Sequence, residues 1–135
     1  MTWQDRVNRE TTLERGCRVF FFLLAGHALA DYPLQSGAMA VCKCRKANNP
    51  LQKDVPWFYW MAAHALVHGG MVAVVVKWLG YSQDAAVLLG CLEFFIHFLI
   101  DCGKCEKLYG MAIDQLLHVA CKGIWYGMLL KGFVT

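Results

Sequence analysis

The sequence predicts an all-α protein, a small polytopic membrane helical bundle with three long helices plus a broken N-terminal helical hairpin. Three observations predict it. Apolar residues make up 58% of the 135 positions and charged residues only 17%, which lie above and below the soluble norm respectively. The apolar stretches are long and rich in Ala, Leu, Phe and Gly, with few strand or hairpin signals. Every histidine stands four residues from another candidate metal ligand, a spacing that puts both on one helical face, one turn apart. The alternative is a soluble bundle with an unusually apolar core.

Residues 1–18 carry Arg6, Arg9, Arg15 and Arg18 against Asp5, Glu10 and Glu14. They read as a cytoplasmic amphipathic segment and not as a cleavable signal peptide. Residues 19–135 read as a single helical membrane domain. Val19 to Ala30 is too short to cross a bilayer. Asp31-Tyr32-Pro33 interrupts it, because the residue before a proline leaves the α region. Leu34 to Cys42 is expected to return, closing a hairpin. That would keep the N-terminal arginines and the Lys43 to Lys53 loop together on the cytoplasmic side; a single tilted span is the alternative. Val55 to Val76 has no Asp, Glu, Lys or Arg over 22 residues, enough to cross a hydrocarbon core. Trp57, Tyr59 and Trp60 at its start, and Trp78 and Tyr81 beyond its end, are expected as interfacial anchors. Ala85 to Ile100 is apolar apart from Glu93 and His97, and Leu108 to Leu130 is interrupted by Asp114, His118 and Lys122.

Four ligand pairs or lines result: His27 with Asp31, His64 with His68, Glu93 with His97 and Asp101, and Asp114 with His118. An unpaired charge is costly in such apolar segments, so convergence on a buried metal site is expected. The metal ligands expected are His27, Asp31, His64, His68, His97, Asp114 and His118. Imidazole suits zinc or iron and carboxylate suits manganese, so the cofactor is a divalent metal, zinc first, with manganese or iron next. The set exceeds what one tetrahedral zinc uses. Two metals with bridging carboxylates, or one metal with carboxylates orienting the imidazoles, are both open. Glu93 and Asp101 are the general-base candidates. A metal-free network, with Lys104 or Lys122 paired to the acids, is the competing reading.

The net charge of +3 is too weak to argue for nucleic-acid binding. Neither a phosphate-binding glycine loop nor a nucleophilic-serine elbow is present, and Ser36 and Ser82 are the only serines. Of the seven cysteines, Cys17, Cys91 and Cys121 read as small core residues. Cys42, Cys44, Cys102 and Cys105 are expected as free thiols, with a four-thiolate zinc site or a disulfide as alternatives.

His-x-x-x-Asp-Tyr-Pro-Leu-Gln (His27 to Gln35), His-x-x-x-His (His64 to His68), Glu-Phe-Phe-Ile-His-Phe-Leu-Ile-Asp-x-x-Lys (Glu93 to Lys104) and Asp-Gln-x-x-His (Asp114 to His118) together resemble the bacterial and phage family known as domain of unknown function 3307. The resemblance implies a small polytopic membrane protein and supplies no reaction. The expected location is the bacterial inner membrane, N-terminus cytoplasmic, with membrane lipid as partner; a membrane-protein partner and homo-oligomerisation are open.

The leading function is a membrane-embedded metal-dependent hydrolase acting on a lipid or amphiphile. The alternatives are an ion or proton transporter, and a non-catalytic membrane factor acting on a host membrane component.

Overall fold

A computed structural model describes residues 3–133, with side-chain contacts from residue 14 onward. These residues contain no strand. In order they form α1 (Trp3–Asp31), α2 (Gly37–Cys42), α3 (Trp57–Trp78), α4 (Gln83–Cys105) and α5 (Met111–Leu130), with two 3-10 turns at Arg45–Ala47 and Pro50–Gln52. The amphipathic face expected for residues 1–18 falls largely on side chains outside the described ones.

The helix ends follow from local chemistry. Ser36 and Ser82 cap α2 and α4 by accepting from Met39 N and Ala85 N, both at 3.1 Å, as short hydroxyl side chains do at helix starts. Asn49 and Gln52 form a reciprocal capping box in the second 3-10 turn. The Gln52 amide also donates to the Cys42 and Cys44 carbonyls at 2.8 Å each, which ties the polar loop back to α2.

Four of the five described helices have 20 residues or more, where three long ones were expected. The extra one is α1. Its first half is rich in charge, but no proline interrupts it, so the helix continues to Asp31. The break at Tyr32-Pro33 is present, but the return arm is the six-residue α2, about 9 Å long.

Contacts give an up-down-up-down bundle. The Phe22 and Trp78 rings meet edge-on at 4.7 Å, while Asp31 reaches His68 at 3.1 Å, so α1 and α3 are antiparallel. Phe20 meets Tyr126 and Asp31 meets Gln115, so α1 and α5 are antiparallel too. The N-terminal arginines and the Lys43 to Lys53 loop therefore lie at opposite ends of the bundle. This corrects the expected hairpin, in which both lay together: α1 runs the full length.

The interior has two layers. At the end holding the start of α1, Val19, Leu23, Val76, Leu89 and Leu129 pack an apolar plug. Toward α2 the interior is polar: His64, His68, His97, Asp101, Asp114 and His118 are each 2% exposed or less. The outer surface is the reverse. Phe21, Leu66, Val74, Phe95, Leu99, Leu116 and Ile124 are all more than half exposed. Two helices, α3 and α4, are long and apolar enough to cross a membrane.

Helices α3 and α4 approach closely at Gly69 and Gly90. A Cβ on Gly69 would lie 2.5 Å from the Gly90 carbonyl oxygen, so only glycine permits this crossing.

Candidate metal centre

Four helices each deliver one turn-spaced pair to the polar layer. From α1 come His27 and Asp31, with Nε2 to Oδ2 at 3.3 Å. From α3 come His64 and His68, ring centres 4.7 Å apart. From α4 come His97 and Asp101, with Nε2 to Oδ2 at 3.7 Å. From α5 come Asp114 and His118, with Oδ1 to Nε2 at 3.6 Å. All seven sequence-predicted metal ligands, and Asp101, thus share one centre.

The ring Nε2 atoms point inward at the carboxylates. His64 Nε2 is 3.2 Å from His97 Nε2 and 3.3 Å from Asp101 Oδ2. With the 3.7 Å edge from His97 to Asp101, this closes a triangle. Donors around a single tetrahedral ion at zinc-like bond lengths stand about 3.3 Å apart. Asp31 Oδ1 adds a corner, 3.6 Å from His64 Nε2 and 3.1 Å from His68 Nε2. Asp101 divides its oxygens: Oδ2 faces His64 and His97, and Oδ1 faces His118 Nε2 at 3.3 Å. Three overlapping groups, His27/His68/Glu93/His97, Asp31/His64/His68/His97 and His97/Asp101/His118, can hold a metal ion.

The Nδ1 atoms of all five histidines are buried without a hydrogen-bond partner, as are His27 Nε2 and Asp114 Oδ1. Buried polar atoms are normally satisfied. An ion held through the inward Nε2 atoms would leave the Nδ1 atoms as they are, so the unmet atoms an ion would satisfy are His27 Nε2 and Asp114 Oδ1. The chemistry of the donor set, nitrogen and carboxylate oxygen without thiolate, fits zinc, manganese or iron.

Glu93 stands apart from the other acids. Lys122 Nζ donates to its Oε1 at 2.5 Å and Trp125 Nε1 to its Oε2 at 2.6 Å. Its Oε1 also lies 3.5 Å from His97 Nδ1. This geometry suits a carboxylate that orients an imidazole from behind.

Lysines complete the surroundings. Lys104 Nζ donates to Asp114 Oδ2 at 2.8 Å, one of the pairings considered from sequence. The buried ammonium of Lys43, not foreseen, contacts Asp101 Oδ2. Gln115 Nε2 donates to Asp31 Oδ2 at 3.3 Å and Asp114 Oδ2 at 3.2 Å.

Cys44 and Cys105 form a disulfide across 61 positions, while Cys42 and Cys102 are free thiols. This corrects the expectation of four free thiols: the loop after α2 folds onto the end of α4 and leaves the two Cα atoms 5.0 Å apart, within bonding range. Lys46 and Arg45 ion-pair with Glu106 beside it. These bonds hold the Glu106 carboxyl below its ordinary range.

No curated protein and no solved structure matches the chain. A family model described as a protein of unknown function matches residues 19–131, which span every residue of the centre. The chain belongs to that family, DUF3307.

Proposed function

We propose that this chain is an integral membrane protein whose buried His/Asp centre holds a divalent metal, zinc first, and hydrolyses a lipid or other amphiphile. One observation carries the metal reading: inward imidazole nitrogens and carboxylate oxygens stand 3.1–3.7 Å apart, the spacing of donors about one ion. A divalent ion there would polarise a substrate oxygen and lower the pKa of a bound water.

The residues divide the work. With an ion bound, His64, His97, Asp31 and Asp101 Oδ2 would hold it, and His118 with Asp114 would serve a second position. Asp101, ligating through Oδ2 alone, would keep Oδ1, the oxygen that faces His118, to accept the proton of a bound water. Glu93, with both oxygens engaged, positions His97 and leaves the base role to Asp101.

The inverted polarity, polar inside and apolar outside, supports a lipid surround. This sequence has six basic residues toward each end, with Lys122 between them, so charge bias sets no orientation. The Cys44–Cys105 disulfide supports one orientation, because such bonds persist in oxidising compartments. In that orientation the α2 end faces outward and the N-terminus the cytoplasm, the reading we adopt for a bacterial inner membrane. The apolar plug argues against the transporter reading, because it closes the interior beyond Glu93.

The test is turnover. Metal-loaded protein is reconstituted and offered carboxyl-ester and phosphoester lipids, wild type beside Asp101→Asn. Release of product by wild type and its loss in the variant are expected. A metal-replete wild type that turns over neither class would overturn the hydrolase reading and favour the non-catalytic membrane factor.

A further inference from the structure

A cleft of about 270 Å³ opens at the α2 end of the bundle, with Asp31, Tyr32, Gln35, Lys43, Lys104 and Met111 in its wall. Asp31 belongs to both the cleft and the centre, and its side chain keeps 14% exposure, so the cleft borders the centre. Its size is just below that of pockets for drug-sized ligands, right for a headgroup and not for a whole lipid.

Each lysine of the wall neutralises a carboxylate of the centre. Lys43 contacts Asp101 Oδ2, the oxygen that completes the triangle with His64 and His97. Lys104 holds Asp114 Oδ2, whose other oxygen faces His118. With its amide turned as its neighbours dictate, Gln35 accepts from Lys43 at 3.3 Å and donates to the Asp31 carbonyl at 3.0 Å.

Charge then decides what the cleft takes. Asp31, Glu93, Asp101 and Asp114 against Lys43, Lys104 and Lys122 set four carboxylates against three ammonium groups. One divalent ion reverses that balance, and a second makes it more positive. A buried net charge is costly until it is paired. Asp101 cannot serve a metal and an ammonium equally well through one oxygen, so the metal releases Lys43 toward the cleft.

We infer that this cleft is an anion site for a phosphate group, and that Lys43 exchanges from Asp101 to that phosphate when the metal binds. Tyr32, Leu34, Leu108 and Met111, each more than half exposed at this end, form an apolar collar for the attached chain. The inference rests on the metal reading and names the substrate class for that site.

Lys43→Met separates this from a structural role, because its two readouts move in opposite directions. Zinc affinity is measured by chelator competition, and phosphate binding by titrating inorganic phosphate into zinc-loaded protein in detergent. A second arm uses vesicles with and without phosphatidic acid. Losing a charge-assisted contact predicts phosphate binding weakened about tenfold or more, while zinc binds as tightly as before or tighter. Lys43→Arg, which keeps the charge, retains phosphate binding, as does Lys107→Met outside the cleft wall. Binding of inorganic phosphate assigns a free phosphate ligand; response to phosphatidic acid alone assigns a headgroup. Unchanged phosphate binding in Lys43→Met, or joint weakening of zinc and phosphate, overturns the inference. A wild type that binds zinc but neither phosphate source also overturns it and leaves the metal centre standing. A wild type that binds no metal removes the metal reading itself.

Discussion

Replacing Gly69 with alanine sets a methyl group 2.5 Å from the Gly90 carbonyl oxygen and 3.2 Å from Phe94 Cβ. Ordinary contact begins near 3.4 Å, so α3 and α4 must part by about 0.9 Å. The obstacle is backbone, which no rotamer change relieves. Overpacking of this kind costs about 1–3 kcal/mol, and the upper end applies here. Alanine regains about 1 kcal/mol of helix propensity, leaving a net loss of about 2 kcal/mol. The same separation reaches the centre, because His64 and His97 sit on these two helices with Nε2 atoms 3.2 Å apart. Spreading them moves the pair outside the spacing one ion bridges, and zinc affinity falls by about tenfold or more. Gly70→Ala is the control, since its Cβ would meet nothing within 4 Å; it should be neutral or stabilising by up to about 1 kcal/mol. Unfolding in detergent and zinc competition read both effects. A Gly69→Ala protein as stable and as tight for zinc as wild type, or a Gly70→Ala protein equally damaged, would refute the reasoning.

Two further outcomes follow from packing and covalent structure. Lys122→Met strands the buried Glu93 carboxylate and should cost about 3 kcal/mol, the low end because Trp125 still holds one oxygen; adding Glu93→Gln should recover most of it, and a loss under about 1 kcal/mol in the single variant would contradict the buried pair. Thiol labelling of the denatured, unreduced protein should find five of the seven cysteines, with Cys105 becoming reactive in Cys44→Ser. The chain-entropy model puts the destabilisation of that variant at up to about 4 kcal/mol for so long a loop. Seven reactive thiols in the wild type would rule out the link.

Much of the centre was legible because helical geometry converts a spacing of four directly into a shared face. His27 with Asp31, Glu93 with His97 and Asp114 with His118 each meet within 3.6 Å. The stop at Asp31-Tyr32-Pro33 was legible for the same local reason. What lay beyond local geometry was not. The first half of α1 has charges all along it, and a helix held by backbone bonds needs no apolar stripe to continue. Lys43 sits among loop-like residues after a helix too short to show a period, so nothing near it marks a buried ammonium. The Cys44–Cys105 link joins residues 61 positions apart, and nothing in the local Cys-x-Cys and Cys-x-x-Cys spacings pairs one cysteine with the other, so free thiols were the first expectation. A pair of small residues such as Gly69-Gly70 permits close helix approach, yet only the fold tells which glycine is needed: Gly69 faces α4 and Gly70 faces open space.

The most direct test is elemental analysis of detergent-purified protein prepared without chelator, wild type beside His64→Ala/His97→Ala. The geometry predicts one or two divalent ions per chain, zinc first, in the wild type and their loss in the variant. A folded wild type containing no divalent ion would contradict the metal centre and leave a metal-free histidine–carboxylate network.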